Sequence, residues 1–157
     1  IIPKPSNLDE NGYRDGFISS LENITNSLQN VDIKSVIAIS STRVYGDHQL
    51  GYIDEATLTE PSDFRGNLIK EYELSLKEFF PVYLNILRFS GLYTDSSKHS
   101  SHNRLNRNTA AKIISFAINN LSQNKENNIY NCSEDCEILA SVKSVSNKKL
   151  KAAGFIF

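Results

Sequence analysis

Three successive hydroxyl side chains are the strongest candidates for chemistry in this sequence. Ser40, Ser41 and Thr42 directly follow Val36–Ile39, a short apolar run rich in β-branched residues. Such a run is typical of a strand that is buried on both faces of a parallel sheet. Because ligands of open α/β sheets bind at the carboxyl ends of the strands, we expect these hydroxyls to face a ligand site.

The segments around this strand alternate between helical and extended patterns. Apolar residues at three- and four-residue steps predict helices over 12–29 and from 62 or 63 to 79, and a third helix capped by Thr109. Runs of apolar residues predict strands over 36–40, 82–89 and 129–132, and Asn147 is expected to cap a small helix closed by Gly154. Polar stretches predict a long loop over 45–63, a loop over 90–93 and an excursion over 95–108. This order predicts an α/β fold with a parallel sheet.

The composition excludes several classes of protein. The 157 residues carry a net charge of −1, with no basic stripe for nucleic acid and no apolar run that could span a membrane. No signal peptide opens the sequence, so we expect a cytoplasmic protein. Cys132 and Cys136 are too few for a metal site and are interpreted as free thiols. The absence of Met and the opening Ile1-Ile2-Pro3 indicate the end of a strand, and hence a fragment.

The segment from Ser40 to Gly46 reads Ser-Ser-Thr-Arg-Val-Tyr-Gly. It resembles the Ser-Ser-x-x-Val-Tyr-Gly signature of extended short-chain dehydrogenases/reductases, the NAD-dependent epimerase/dehydratase family. Further segments similar to this family follow in the same order, namely Asp54-Glu55, Glu60-Pro61, Leu87–Tyr93 (with Thr94 in place of a Gly) and Val145–Phe155. The resemblance therefore covers most of the chain.

The resemblance implies a fold and a set of site residues. The fold is a partial Rossmann-like doubly wound parallel sheet with a small C-terminal substrate-side segment. Residues 1–94 would form the C-terminal part of the NAD(P)-binding domain, and residues 95–157 the rest of its sheet and helices with the substrate-side segment. The implied site residues are Ser41 and Arg65 at catalytic positions, Pro3, Ser40, Phe89, Ser90 and Gly91 beside the cofactor, and Thr42 and Tyr45 along the substrate, with no metal ligand.

The same resemblance implies a cofactor, NAD or NADP, and a small-molecule substrate such as a nucleotide-sugar or a carbonyl compound. These enzymes begin with a Gly-rich turn that holds the dinucleotide pyrophosphate at a helix N-terminus. None of the seven glycines here forms that turn. Matching Ile1-Ile2 to the fourth strand of the family places the turn upstream, so we expect this chain alone to have negligible affinity for the dinucleotide.

The catalytic Tyr-x-x-x-Lys pair of the family is also altered. An alignment through Glu73 places Arg65 at the Tyr position and Ile69 at the Lys position, as in atypical extended members. A phenol, with an ordinary pKa near ~10, needs the Lys charge to act as a base near neutral pH. Arg65 stays protonated and cannot shuttle that proton, and Ile69 supplies no charge.

Each candidate residue also has a purely structural interpretation. Ser41 either orients a substrate or satisfies the backbone of the following loop. Arg65 either binds a ribose or phosphate or is a surface residue in the first turn of a helix. Tyr45 is expected to pack beside the pocket as a structural aromatic, and Arg88 to pair with a carboxylate. Contacts from Ser90-Gly91 to a cofactor and a plain turn remain equally open.

Three functions therefore remain open. The first is an epimerase/dehydratase-like oxidoreductase with a degenerate Tyr-x-x-x-Lys. The second is a non-catalytic module that binds NAD(P) or another protein. The third is an inactive fragment.

Overall fold

The computed structural model describes residues 1–94, 102–123 and 125–157. Its helices are α1 (Glu10–Arg14), α2 (Ser20–Ser27), α3 (Phe64–Phe79), α4 (Arg107–Phe116) and α5 (Lys148–Ala152). Its strands are β1 (Val36–Ser41), β2 (Gly51–Ile53), β3 (Leu84–Phe89), β4 (Gly91–Tyr93), β5 (Arg104–Asn106), β6 (Asn128–Cys132) and β7 (Lys143–Val145). None of the helices in these residues has the length and apolar character needed to cross a membrane.

The central sheet is parallel and has the order β1-β3-β6 in the described residues. Its register pairs Ser41 with Phe89 and Phe89 with Cys132, so the carboxyl ends of the three strands lie side by side. The expected strand end at Ile1-Ile2 lies on the other side of β1. The Ile1 amine donates to the Ile37 carbonyl at 2.5 Å, and the Ile39 amide donates to the Ile1 carbonyl at 2.9 Å. These two bonds are the pattern of a parallel strand pair.

Two apolar clusters lie on opposite faces of the sheet. Because side chains alternate along a strand, Val36 and Ala38 face α2 and α3, whereas Leu87 and Phe89 face α4 and α5. Helices therefore cover both faces. The fold is α/β with a partial Rossmann-like doubly wound sheet, as predicted.

The first predicted helix, 12–29, is present but begins and ends two residues earlier. The Asp9 carboxylate accepts a hydrogen bond from the Gly12 amide at 2.8 Å and so caps α1. A π-helical turn, Asp15–Ser19, joins α1 to α2 without a break. The cap lies outside the apolar stripe on which the predicted boundary rested, which explains the error.

Helix α3 matches its prediction closely. Asp63 caps it by accepting from the Gly66 amide at 2.8 Å, and the predicted stripe of Leu68, Tyr72 and Leu76 is buried. The i,i+4 spacing of Glu73 and Lys77 in the sequence predicts an ion pair between them, but Glu73 has a different partner. Glu73 is only 3 % exposed and points into the protein, where it pairs with Arg88 of β3.

Several other local predictions are wrong or shifted. Helix α4 begins at Arg107 because Asn106, and not Thr109, caps it. The predicted loop 90–93 contains β4, the predicted loop 45–63 contains β2, and strand β3 begins at Leu84 instead of residue 82. Each missed strand has three residues and a partner distant in the sequence: β2 pairs with β7, and β4 with β5. Of the predicted excursion over 95–108, residues 95–101 lie outside the described residues.

Candidate functional site at the carboxyl edge of the sheet

A buried ion pair lies under the carboxyl edge of the central sheet. Arg88 of β3 donates two hydrogen bonds to the Glu73 carboxylate, from Nε at 2.9 Å and from Nη2 at 2.6 Å. Ser40 of β1 donates a third, at 2.5 Å. The fork of a guanidinium matches the two carboxylate oxygens, so the pair locks α3 to β1 and β3 with a defined geometry. The expectation that Arg88 pairs with a carboxylate is confirmed.

The ion pair continues into a chain of hydrogen bonds across the edge. Arg88 Nη1 donates to the Tyr45 hydroxyl at 2.8 Å, and this hydroxyl donates to Asn131 Oδ1 on β6 at 2.9 Å. The backbone N–H of Asn131 donates to Glu55 Oε1 at 2.7 Å. The chain thus links α3, all three central strands and the loop that follows β1.

The surroundings of Tyr45 and Arg88 in this chain of hydrogen bonds shift the pKa values of both groups. Burial raises the pKa of the Tyr45 phenol, although the Arg88 charge and its hydrogen bond oppose that shift. Burial alone would lower the pKa of Arg88, but hydrogen bonds and the negative charge of Glu73 raise it overall. Tyr45 is therefore a neutral phenol and Arg88 a cation at neutral pH.

The Ser41 hydroxyl lies on the opposite face of β1 from that of Ser40, as strand alternation requires. Its Oγ accepts a hydrogen bond from the Arg43 amide at 3.2 Å and so caps a short 3₁₀ turn, Thr42–Tyr45. This contact matches the structural interpretation of Ser41. The hydroxyl is partly exposed, so it can still donate its proton to a ligand.

Thr42 and Tyr45, predicted to line the substrate, are both buried. Thr42 is 6 % exposed, and Tyr45 is fully buried with its hydroxyl already hydrogen-bonded. After them, Gly46 adopts a positive φ of 74°, and a Cβ here would collide with the Glu60 carbonyl oxygen. This close approach folds the loop back over the edge.

The Arg65 side chain is directed toward the first helix. Its guanidinium lies 5.6 Å from the ring centroids of both Tyr13 and Phe64, and Nη2 donates to the Leu8 carbonyl at 3.3 Å. Ile69, at the position of the family's Lys, is 3 % exposed and belongs to the apolar cluster between α3 and the sheet. In this structure both residues pack against neighbouring side chains. Arg65 does not take a proton from Ser41, and Ile69 does not place a positive charge beside it.

The five residues predicted beside the cofactor lie at three places. Ser40, Ser90 and Gly91 lie at or just beyond the carboxyl ends of β1 and β3. Pro3 lines a cavity of about 380 Å³ at the other side of β1, together with Ile2 and Phe17. The Phe89 ring is 6 % exposed and packs in the apolar cluster against α4, so a cofactor could reach only its backbone.

Three buried polar atoms near this edge have no hydrogen-bond partner among the described residues. They are Ser90 Oγ, Asn131 Nδ2 and Ser133 Oγ. The Ser90 amide donates to the Cys132 carbonyl at 3.0 Å, so the ladder of β3 and β6 extends to bring Ser90 beside Ser133. Buried polar groups are nearly always hydrogen-bonded, to protein, water or ligand. The edge therefore offers two hydroxyls and an amide for hydrogen bonding.

No pattern in the sequence identified Asn131 or Glu55 as members of this network. A usable signal was present for Glu73, since it lies between buried positions of α3 while Arg88 lies within an apolar strand. Two opposite charges inside apolar patterns predict a buried pair. For Asn131, the Asn-rich composition hides any such signal. Among the described residues, no cluster of His, Cys, Asp and Glu could hold a metal ion.

Comparison with known proteins places this fold. No protein-family model matches the chain, and no curated protein matches its sequence. Solved structures do match. One is a candidate NAD-dependent epimerase/dehydratase from Methylobacillus flagellatus, with a TM-score of 0.74 and 22 % identity, matched over 94 % of this chain and 67 % of that one.

Two further structures contain ligands. The UDP-glucuronic acid 4-epimerase from Bacillus cereus in complex with NAD has a TM-score of 0.73 and 12 % identity, covering 93 % of this chain and 63 % of that one. The UDP-N-acetylglucosamine 4-epimerase from Methanobrevibacter ruminantium M1, in complex with UDP-N-acetylmuramic acid, has a TM-score of 0.68 and 15 % identity over 99 % and 70 %. The chain thus has the fold of such epimerases and spans about two-thirds of their length.

Proposed function

We propose that this chain is part of an NAD(P)-dependent epimerase/dehydratase-like oxidoreductase with a degenerate Tyr-x-x-x-Lys pair. It contributes the carboxyl edge of the sheet, where Ser41 lies. The observation that carries the proposal is the match over 93–99 % of the chain to NAD-dependent and nucleotide-sugar epimerases. The substrate is a nucleotide-sugar or a related carbonyl compound.

The residues of this chain do not include a Gly-rich turn that could hold the dinucleotide pyrophosphate at a helix N-terminus. Ile1 forms hydrogen bonds to β1 on one side, and its other side offers the edge of a parallel sheet. Apolar cavities of about 340 Å³ and 380 Å³ lie beside this edge, the first lined by Ile37, Ile39 and Ile114 and the second by Pro3. Residues 1–94 and 95–157 contribute to one domain, with NAD or NADP bound against Pro3, Ser40 and the backbone of Phe89–Gly91.

The chemistry in such a protein differs from the usual proton relay. Ser41 supplies a hydroxyl that can orient the substrate carbonyl or alcohol. Arg65 holds a permanent positive charge and serves, if it turns away from Tyr13, as an anion-binding group instead of a base. NAD(P), when bound, supplies the hydride acceptor or donor, and Arg88 and Glu73 keep the serine strand in place.

A non-catalytic binding module is the second candidate. It is favoured by the local contacts of two residues. Ser41 caps a 3₁₀ turn, and Arg65 packs against the first helix, so neither side chain contacts the other. In this alternative the fold and its cofactor are kept for sensing or association. The inactive fragment is the limiting case, in which even ligand binding is lost.

The deciding experiment uses the full-length protein in two assays, one with NAD or NADP and a panel of UDP-sugars, the other with NADH or NADPH and carbonyl compounds. We expect an oxidised or epimerised sugar in the first assay or oxidation of the reduced cofactor in the second, and we expect Ser41→Ala to lower kcat by about 10²-fold or more. Ser27→Ala serves as the matched control, because among the described residues the Ser27 hydroxyl donates to the Asn23 carbonyl on the exposed face of α2 and to no other group.

The outcomes separate the candidates. Cofactor binding without turnover in the wild type would support the binding module and contradict the oxidoreductase. Calorimetric titration of this chain alone with NADPH should detect no binding. Micromolar affinity in that titration would contradict the proposal that the residues of this chain alone cannot hold the dinucleotide.

A further inference from the structure

Asn103 lies between the two small sheets that cover the carboxyl edge, and its backbone conformation is unusual. Its φ of 58° lies in the left-handed region, which few residues other than glycine occupy and in which Asn is several-fold enriched. The residue immediately precedes β5. Such a conformation persists only where the surrounding contacts hold it.

The contacts of Asn103 account for its conformation. Its side-chain Nδ2 donates to the Lys143 carbonyl at 2.6 Å, and its Oδ1 accepts from the Val145 amide at 2.8 Å. One donor and one acceptor thus pair with alternate residues of β7, as the backbone of a neighbouring strand would. At the same time the Asn103 carbonyl accepts from the Gly91 amide of β4 at 3.1 Å.

β7 in turn reaches the loop after the serine strand. It pairs with β2, and the Lys143 ammonium, with its side chain 15 % exposed, donates to the Gly46 carbonyl at 2.6 Å. Contacts therefore run from Gly91 through Asn103 and Lys143 to Gly46. Gly91 lies in the segment that follows β3, and Gly46 lies in the segment that follows β1.

We propose that Asn103 is a positioning residue that clasps the β4–β5 and β2–β7 sheets together over the carboxyl edge. In the residues that the structure describes, neither sheet has a further strand on this side of β7. The Asn103 side-chain amide makes the hydrogen bonds to β7 that such a strand would make. The clasp sets where Gly91 and the Gly46 turn lie relative to each other. It depends on the fold alone and holds whether or not the protein is an oxidoreductase.

Site-resolved amide hydrogen exchange of Asn103→Gly tests this proposal. Glycine adopts the positive φ without strain, so the substitution removes the side-chain clasp and leaves the backbone turn unpenalised. We expect the Val145 amide to exchange about tenfold faster relative to the Leu87 amide of β3, the middle strand of the central sheet. Because any global unfolding exposes both amides, the ratio within one sample reports the local opening alone.

Asn103→Asp is the matched control. It keeps the acceptor for the Val145 amide, but it replaces the donor to the Lys143 carbonyl with a carboxylate oxygen that this carbonyl repels, so Val145 should exchange faster than in the wild type and more slowly than in Asn103→Gly. An unchanged ratio in Asn103→Gly would overturn the clasp. Equal acceleration in both variants would overturn it as well, because the acceptor would then not be what holds β7.

Discussion

The Arg88 guanidinium and the Glu73 carboxylate lie 2.6 Å apart at their closest atoms, with each side chain only 4 % exposed. They join the middle strand of the central sheet to the helix that follows the serine strand. A buried ion pair with its hydrogen bonds satisfied contributes defined geometry more surely than net stability. Here that geometry includes Ser40, which is hydrogen-bonded to the same carboxylate.

Removal of one partner should be severe. Glu73→Ala leaves the Arg88 charge buried and unpaired, and we expect the free energy of unfolding to fall by about 3–5 kcal/mol in urea titrations. Glu71→Ala on the same helix is the control. Its pair with Arg14 is 47 % and 48 % exposed, so its loss should change stability by less than about 1 kcal/mol. Similar losses in the two variants would contradict the buried pair.

Two buried tyrosines should respond differently to loss of the hydroxyl. Tyr45→Phe leaves Arg88 Nη1 and Asn131 Oδ1 without their partner, and should lower stability by about 1–3 kcal/mol. The Tyr72 hydroxyl is buried without a hydrogen-bond partner among the described residues, so Tyr72→Phe should be neutral or stabilising. Thermal unfolding of the two variants side by side measures the difference. A larger loss for Tyr72→Phe would refute the assigned network.

The two thiols should differ in reactivity. Burial, with a smaller contribution from the negative charge of Glu55, raises the pKa of the fully buried Cys132 thiol. Cys136 is free and partly exposed. With a disulfide reagent at pH 8 we expect one fast-reacting thiol in the native protein and two after denaturation. Cys136→Ser should abolish the fast phase, and its survival in that variant would show that Cys132 is accessible.

The Asp63 cap should contribute a measurable share of the stability. Asp63→Ala removes both the cap of α3 and the ion pair with Arg43 at 2.7 Å, and we expect a loss of about 1–2 kcal/mol. Asp63→Asn keeps a capping oxygen and loses only the half-exposed ion pair, so its effect should stay below about 1 kcal/mol. Equal losses in urea titrations would assign the effect to the ion pair.

Local signals in the sequence were enough for much of the fold. The cap at Asp63 and the stripe from Leu68 to Leu76 predicted α3, because both lie within one helix. The strand ending at Ser41 was predicted for the same reason. β2 and β7 were missed because each owes its structure to the other, and no local pattern in Gly51–Ile53 points to Lys143–Val145.

The sequence pointed to the segments that could form a site, but it did not predict the hydrogen bonds between them. The resemblance located Ser41, Arg65 and the Ser90-Gly91 segment, and their roles there remain predictions, as does the cytoplasmic location. The hydrogen bonds that link Tyr45, Asn131 and Glu55 were not predictable, since they join residues up to 86 positions apart. Such contacts depend on the register of the sheet, which a single sequence leaves undetermined.

The pairing of β2 with β7 also has a consequence for the order in which the protein folds. Tyr52 of β2 and Ser146, the residue that follows β7, are hydrogen-bonded although they lie 94 positions apart. β1 and β3, by contrast, are joined by a single helical crossover and can pair as soon as both have been synthesised. Closing the longer loop has the greater entropic cost and is expected to come later. During synthesis the serine strand is therefore folded before its cover exists, and the carboxyl edge stays open until Lys143–Val145 leaves the ribosome.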